Sequence, residues 1–299
     1  MNVLVTGASG LIGRTLVPRL EAEGRRVYTL AREKRGGDPW WDPESGTIDF
    51  GDLDELSAVV HLAGENIAQG RWTRAKKDRI RQSRVEGTRL LVQALKALSP
   101  RPSTLISASA VGFYGDRGDK LLNEQSEPGS GFLASVCQEW EAETAPAAAS
   151  GIRVVLARFG VVLSAAGGAI RSMELPFRLG LGGAMGPGTQ YLSWITAEDV
   201  AAILQFLLND ESISGPVNVV SPNPVTNREF TKALGRVFRR PAVLAMPTFA
   251  ARLLFGEVAD QLLLSSARVT PEKLLSAGYA FQHPELNGAL EHLFRTKAP

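Results

Sequence analysis

Three glycines that follow the first apolar run set the strongest constraint on this chain. Val3-Leu4-Val5 is a short run with β-branched content, the mark of a fully buried strand. Thr6 and then Gly7, Gly10 and Gly13 come next, and Leu11-Ile12 open a helical pattern. A strand, a glycine-rich turn and a helix N-terminus in that order offer backbone N–H groups and the helix dipole to a pyrophosphate. Gly7 permits the tight turn, Gly10 the close approach of phosphates, and Gly13 the packing of helix on strand, with Ser9, Leu11 and Ile12 completing the loop. The spacing is G-x-x-G-x-x-G, not the ordinary G-x-G-x-x-G. Its place between a clean strand and a clean helix marks it as a cofactor loop.

The elements beyond the loop alternate. A helix is expected over residues 11–23, closed by Gly24, and residues 26–31 (RVYTLA) read as the second strand. Residues 33–57 are irregular and hold a short third strand. Residues 58–63 (AVVHLA) are a buried strand, and a long helix covers 73–98, stopping before Pro100. A strand at 103–107, a helix at 133–149 and a strand at 152–157 continue the pattern. This is α/β architecture: a doubly wound, Rossmann-type parallel sheet covered on both faces. After residue 160 the rhythm changes. Glycine-rich loops at 167–168 and 180–188 precede a helix capped by Thr196, a strand at 216–220, a helix capped by Thr226, and a mostly helical end. The chain thus divides into a dinucleotide-binding domain, residues 1–160, and a smaller mixed lobe, residues 161–299, partly interleaved with it. Such a lobe over the carboxyl edge of the sheet closes a substrate cleft, because ligands of open α/β sheets bind there.

Composition removes several alternatives. A formal charge of +2 leaves no electrostatic footprint for nucleic acid. The single cysteine, Cys137, rules out an intrachain disulfide and suits a reducing cytosol. Met1-Asn2 lead straight into the first strand, so no signal peptide is expected, and no apolar run approaches the ~18 residues of a membrane helix. Three histidines and one cysteine give no zinc spacing. A soluble cytoplasmic protein without a metal site is the expectation.

The motifs add up to a resemblance. TGASGLIG (6–13) resembles the cofactor loop of the extended short-chain dehydrogenases/reductases, the nucleotide-sugar epimerase group. RVEGTRLLVQAL (84–95), SASAVGFYG (107–115) and GTQYLSWITAEDVAAIL (188–204) are similar, in order, to three further segments of that group. With AGENI (63–67), Arg71-Trp72, LPFRLGLGG (175–183) and the stretch from Met246 onward, the chain resembles an atypical branch of uncharacterised NAD-dependent epimerase/dehydratases. The resemblance implies an extended fold that binds NADP(H). It also implies a loss. The superfamily's general acid/base is the tyrosine of a Tyr-x-x-x-Lys pair, but FLASVCQEWEAE (132–143) puts Phe132 at the tyrosine and Val136 at the lysine. Neither transfers protons.

Arg32 ends the second strand, about 20 residues beyond the glycines, where an NAD site places an acid; an arginine suits a 2′-phosphate. NADP (NADPH) is therefore favoured, Glu33 keeps NAD open, and a plain surface arginine is the bland alternative. Leu62, Ala63 and Gly64 end a strand where the nicotinamide half would lie, and His61 beside them reads as a satisfied core histidine. Arg84 interrupts the apolar stripe of Ile80, Gly87, Leu91 and Leu95. It either meets cofactor phosphates or an anionic substrate, or forms an internal salt bridge, for example to Glu65, since an unpaired buried charge is expensive. Arg74, Lys76 and Arg81 read as a solvated face.

Ser107 and Ser109 follow the strand of the family's catalytic serine, and Arg158 and Val161 follow the last parallel strand, where the resemblance wraps the nicotinamide end. Ser109, Tyr114 and Glu65 are the candidates for proton transfer, set against a packing role for Tyr114 and a loop-bracing role for Glu65. Cys137 reads as a core residue, not a nucleophile.

Two functions follow. One is an NADP-dependent oxidoreductase or epimerase acting on a small, sugar-like or anionic molecule, with hydride moving to or from the nicotinamide. The other is a catalytically degenerate NADP(H)-sensing protein that works through a protein partner. The partners allowed for are a small-molecule substrate and a second copy in a homodimer; neither nucleic acid nor a membrane is expected.

Overall fold

In a computed structural model, residues 1–295 apart from Arg35 and Asp54 are described; the last four residues of the expected C-terminal lobe lie outside the described residues. The apolar run becomes β1 (Asn2–Thr6), and α1 (Leu11–Ala22) turns back along it to β2 (Arg26–Leu30). The expected third strand is instead an antiparallel hairpin, β3 (Trp40–Asp42) with β4 (Thr47–Asp49). Among the described residues the hairpin is joined to the sheet edge by a bridge between Trp40 and Ala31, and the main sheet stops at β2. The cause is Trp41: it is buried among Leu30, Leu56 and Leu91, with its ring 3.4 Å from where a Cβ on Gly87 would stand. Filling that hollow turns the segment away from the sheet edge.

The sheet continues with β5 (Ala58–His61), then α2 (Arg74–Ala97), whose first turn is capped by the Thr73 hydroxyl. β6 (Thr104–Ala110) runs into a 3₁₀ turn, Val111–Tyr114, and a short β7 (Leu121–Leu122). The single helix expected over 133–149 is two, α3 (Phe132–Ala142) and α4 (Ala145–Ala148). Between them the Thr144 hydroxyl bonds back to the Glu141 carbonyl, and Pro146 lacks the N–H a continuous helix needs.

β8 (Arg153–Phe159) completes the first half, and β9 (Val161–Ser164), α5 (Gly168–Arg178), β10 (Tyr191–Leu192) and β11 (Trp194–Thr196) leave the sheet. The chain then returns: α6 (Ala197–Asn209) packs beside α1, and β12 (Gly215–Val219) pairs with β8. The main sheet is therefore six parallel strands in the order β12-β8-β6-β5-β1-β2. One face is buried under α1 and α6, by Leu16, Leu20, Val200, Leu204 and Leu207, and the other under α2, by Leu91, Val92 and Leu95.

The lobe is completed by β13 (Val225–Thr226), α7 (Asn227–Phe238), α8 (Thr248–Phe255), a π-helical turn at Ala259–Leu263, β14 (Arg268–Val269), α9 (Glu272–Ser276) and α10 (Leu286–Arg295). α7 begins in a full capping box between Thr226 and Glu229. The lobe's own core joins Ile170, Phe177, Trp194, Phe230, Leu234 and Leu290. β14 pairs in parallel with β7, which ties the end of the chain to the loop beyond β6.

Candidate functional site

The glycine turn is a cradle that side chains would fill. Gly7 has φ +67°, and a Cβ on it would stand 2.8 Å from the Leu62 carbonyl carbon. A Cβ on Gly13 would stand 2.5 Å from Ala8 Cα and the Gly7 oxygen. Gly10 is the N-cap of α1 and brings no side chain to cap the N–H groups of its first turn. Ser9 and Gly10 are exposed, and Leu11 and Ile12 half-buried.

Thr6 fastens the neighbouring loop to this turn. Its Oγ1 accepts the N–H groups of Leu62 and Ala63, both at 3.1 Å, and lies 2.7 Å from His61 Nδ1. With both Thr6 lone pairs used, its proton goes to Nδ1; His61 Nε2 then donates to Thr88 Oγ1 at 3.0 Å, which also accepts from Trp140. Burial pushes the His61 pKa down to about 4. The histidine is a satisfied core residue.

Arg32 is exposed just beyond β2. Arg84 reaches the same edge from α2, and its Cζ lies 3.3 Å from where a Cβ on Gly64 would stand and 5.2 Å from the Trp140 ring centre. Its Nη1 donates to the carbonyls of Glu65 (3.1 Å) and Ile80 (3.2 Å). The alternative of a salt bridge to Glu65 is not formed: that carboxylate pairs with buried Lys76 at 2.7 Å, which holds it below the usual carboxylate range. Among the described residues no carboxylate pairs with Arg84. Glu65 also braces its loop, its N–H donating to Ser83.

Ser107 and Ser109 are buried along β6. Ser109 donates to Glu141 Oε1 at 2.6 Å, and Arg158 grips both oxygens of Glu141, each at 2.8 Å. Arg158 also donates to the Tyr114 oxygen at 3.0 Å, and Tyr114 donates onward to Asn218 Oδ1 at 2.7 Å. Tyr114 is fully buried, so its phenol meets protein rather than a ligand. Burial also raises its pKa. Glu141 is the residue that reading the sequence missed. The signal was present: a carboxylate four residues after Cys137, on the apolar stripe of α3. Val161, in β9, is half-buried and pairs with Trp194. Cys137 is buried and its thiol is pushed up to about 12, which leaves it inert.

A cleft of about 430 Å³ opens beside α3. Gly112, Gly131, Leu133 and Ala134 form its sheet side, and Thr248, Arg252, Asp260, Gln261 and Leu264 its far wall. The far-wall residues lie in the stretch from Met246 that carries part of the resemblance, but none of them was singled out as a site residue from sequence. Phe132, which stands at the tyrosine position, does not replace its chemistry. It packs edge-on against Trp72 at 5.4 Å and joins Phe255, Val258 and Leu262 in a small core that anchors the far wall. Arg71 donates to the carbonyls of Leu253 and Leu254, and Lys77 pairs with Glu257 at 2.9 Å, fastening the same segment.

No helix among the described residues is long and apolar enough to cross a membrane. No group of three or more metal-ligating side chains occurs among them.

Known proteins share this arrangement. Residues 246–293 match a domain of unknown function (DUF1731). An epimerase family protein of Mycobacterium bovis is 46% identical over 290 residues, covering 96% of each chain. One from Bacillus subtilis is 37% identical over 300 residues, 98% of each. The crystal structure of the human epimerase family protein SDR39U1, solved with NADPH, is 34% identical, covers 99% of both chains and superposes with a TM-score of 0.89. A nucleoside-diphosphate sugar epimerase from Corynebacterium glutamicum is 38% identical with a TM-score of 0.81, covering 98% of this chain and 57% of that one. Residues 3–220, which carry the glycine cradle and the sheet, match the NAD dependent epimerase/dehydratase family, and to that family the chain belongs.

Proposed function

We propose that the protein is an NADP(H)-dependent hydride-transfer enzyme, of oxidoreductase or epimerase type, acting on a small molecule in the cleft beside α3. The observation that carries this reading is the cradle: Gly7 and Gly13, at which a Cβ would intrude on backbone, and Gly10, where one would crowd the Gly7 oxygen at 3.1 Å, around a helix N-terminus without a side-chain cap. The human relative solved with NADPH supports the phosphorylated dinucleotide. So does Arg32, an exposed guanidinium at the carboxyl end of β2.

In this reading Gly7, Ser9, Gly10, Leu11, Ile12 and Gly13 hold the pyrophosphate, and Arg32 takes the 2′-phosphate. Leu62, Ala63, Gly64, Ser107 and Val161 surround the nicotinamide half, with Arg84 as the cation beside it. The bound dinucleotide supplies or accepts a hydride. Ser109 gives its proton to Glu141 and steadies that carboxylate beside Arg158. Tyr114 is a positioning residue that steadies Arg158, and Glu65 fixes the loop over which substrate passes. Titrating the protein with NADPH and with NADH, followed by the fluorescence of the reduced nicotinamide, tests this. Saturable binding that favours NADPH by about tenfold or more is expected, a difference of roughly 1.4 kcal/mol. Saturable binding of neither dinucleotide overturns it.

A further inference from the structure

Arg84 keeps two of its three nitrogens unspent. Its guanidinium lies against Gly64, whose Cβ would stand 3.3 Å from Cζ, and over the Trp140 ring at 5.2 Å. Nη1 donates to the Glu65 and Ile80 carbonyls, which holds the group in place. Nε and Nη2 have no partner among the described residues, and neither is sealed inside protein. Those two nitrogens share one edge of the guanidinium and present two parallel N–H groups. That edge matches the two oxygens of a single carboxylate.

The charge around it is unbalanced as well. The Glu65 carboxylate is shared by Lys76 at 2.7 Å and Arg79 at 3.8 Å, so with Arg84 three cations gather about one anion. Burial pushes the Arg84 pKa below the ordinary guanidinium value, yet a guanidinium keeps its proton at any working pH. A cation drawn out of water without a counter-charge is costly to hold, and an anionic ligand offsets that cost.

The dinucleotide does not provide this anion in the reading given above. Its pyrophosphate goes to the glycine turn and its 2′-phosphate to Arg32, while the nicotinamide half beside Gly64 carries no negative charge. Once oxidised, the ring is itself positive. The counter-charge therefore belongs to the second ligand. The cleft is within reach of it: Leu133, on the cleft wall, and Trp140, under Arg84, are seven residues apart on one stripe of α3, about 10 Å along the helix.

We propose that the small molecule this protein acts on carries a carboxylate, gripped side-on by Nε and Nη2 of Arg84 next to the nicotinamide. Arg84 binds and orients that molecule and transfers no proton to it. The inference rests on the cofactor reading for where the dinucleotide lies.

Malonate is the probe, and malonamide is its neutral counterpart of similar shape. Each is titrated by calorimetry into the full-length protein saturated with NADPH, at matched ionic strength, so that the glycine turn and Arg32 are already occupied. Saturable malonate binding is expected, with malonamide weaker by about tenfold or more. Arg84→Met should weaken malonate by about tenfold or more, and Arg84→Lys, which keeps the charge but not the fork, should restore only part of the loss. NADPH affinity should change by less than about threefold in both variants. Arg84→Lys carries the comparison if Arg84→Met does not fold. Absence of saturable malonate binding overturns the proposal, as does malonamide binding equally well or malonate affinity that neither variant alters. A loss of NADPH affinity of about tenfold in Arg84→Met assigns the guanidinium to the dinucleotide and overturns it too. Failure of the parent to bind NADPH defeats the cofactor reading, and malonate titrated into the bare protein and its Arg84 variants then shows whether Arg84 holds a carboxylate.

Discussion

Ser109 donates its hydroxyl to Glu141 across 2.6 Å, and Glu141 is gripped in turn by Arg158 through two contacts of 2.8 Å. The pair is 9% and 4% exposed, so neither charge has water to fall back on. Removing one partner of a buried pair strands the other at a cost of about 3–5 kcal/mol. Glu141→Leu is expected to lose stability of that order in urea unfolding. Glu141→Leu combined with Arg158→Met should recover most of it, since both charges are then gone.

Gly13→Ala should uncouple fold from cofactor. The added methyl carbon would stand 2.5 Å from Ala8 Cα and the Gly7 oxygen, so the turn must spread. NADPH affinity is expected to fall by about tenfold or more, while the far-ultraviolet circular dichroism stays that of the parent.

Arg32→Glu should reverse the dinucleotide preference. A charge-assisted contact is worth about 1.5–3 kcal/mol, so the ratio of NADPH to NADH affinity should drop by about tenfold to a hundredfold. Fluorescence titration with both dinucleotides reads this directly. An unchanged ratio removes Arg32 from the site.

His61 makes stability depend on acid. Its folded pKa is about 4 against an ordinary value of 6.5, so the unfolded chain takes up a proton first as pH falls. Stability is therefore complete above pH 6.5 and is lost progressively toward pH 4, by about 3 kcal/mol in all. Urea midpoints at pH 7 and pH 4.5 measure the slope, and His61→Gln should flatten that part of it.

Cys137 should resist iodoacetamide in the native protein, because its buried thiol is raised to about 12. Mass spectrometry is expected to show the adduct only after unfolding in urea. Rapid native labelling would mean that α3 opens away from the sheet.

What could be read from the chain was what is local in it. The cradle lies within thirteen residues, and the caps of α6 and α7 within four each, at Thr196 and Thr226. Glu141 escaped because the partner that explains it, Arg158, is brought alongside only by the sheet. Tyr114 looked like a proton donor because Asn218, which takes its proton, is 104 residues away. The third strand became a hairpin because of Trp41, whose hollow is made by a glycine on a helix still to come. The stretch from Met246 was legible as part of the resemblance, but not as the cleft's far wall. Thr248, Arg252 and Gln261 acquire meaning only once Phe132 anchors their segment.

The glycine cradle and the cleft's far wall are made far apart in the chain. The glycine turn lies within residues 7–13, and the far wall comes from the segment beyond Met246, whose β14 pairs with β7. A chain halted or clipped after β12 keeps all six strands of the main sheet and its cradle, but has nothing to close over a guest. A protease that removed the segment from Met246 would thus leave the glycine cradle without the cleft's far wall.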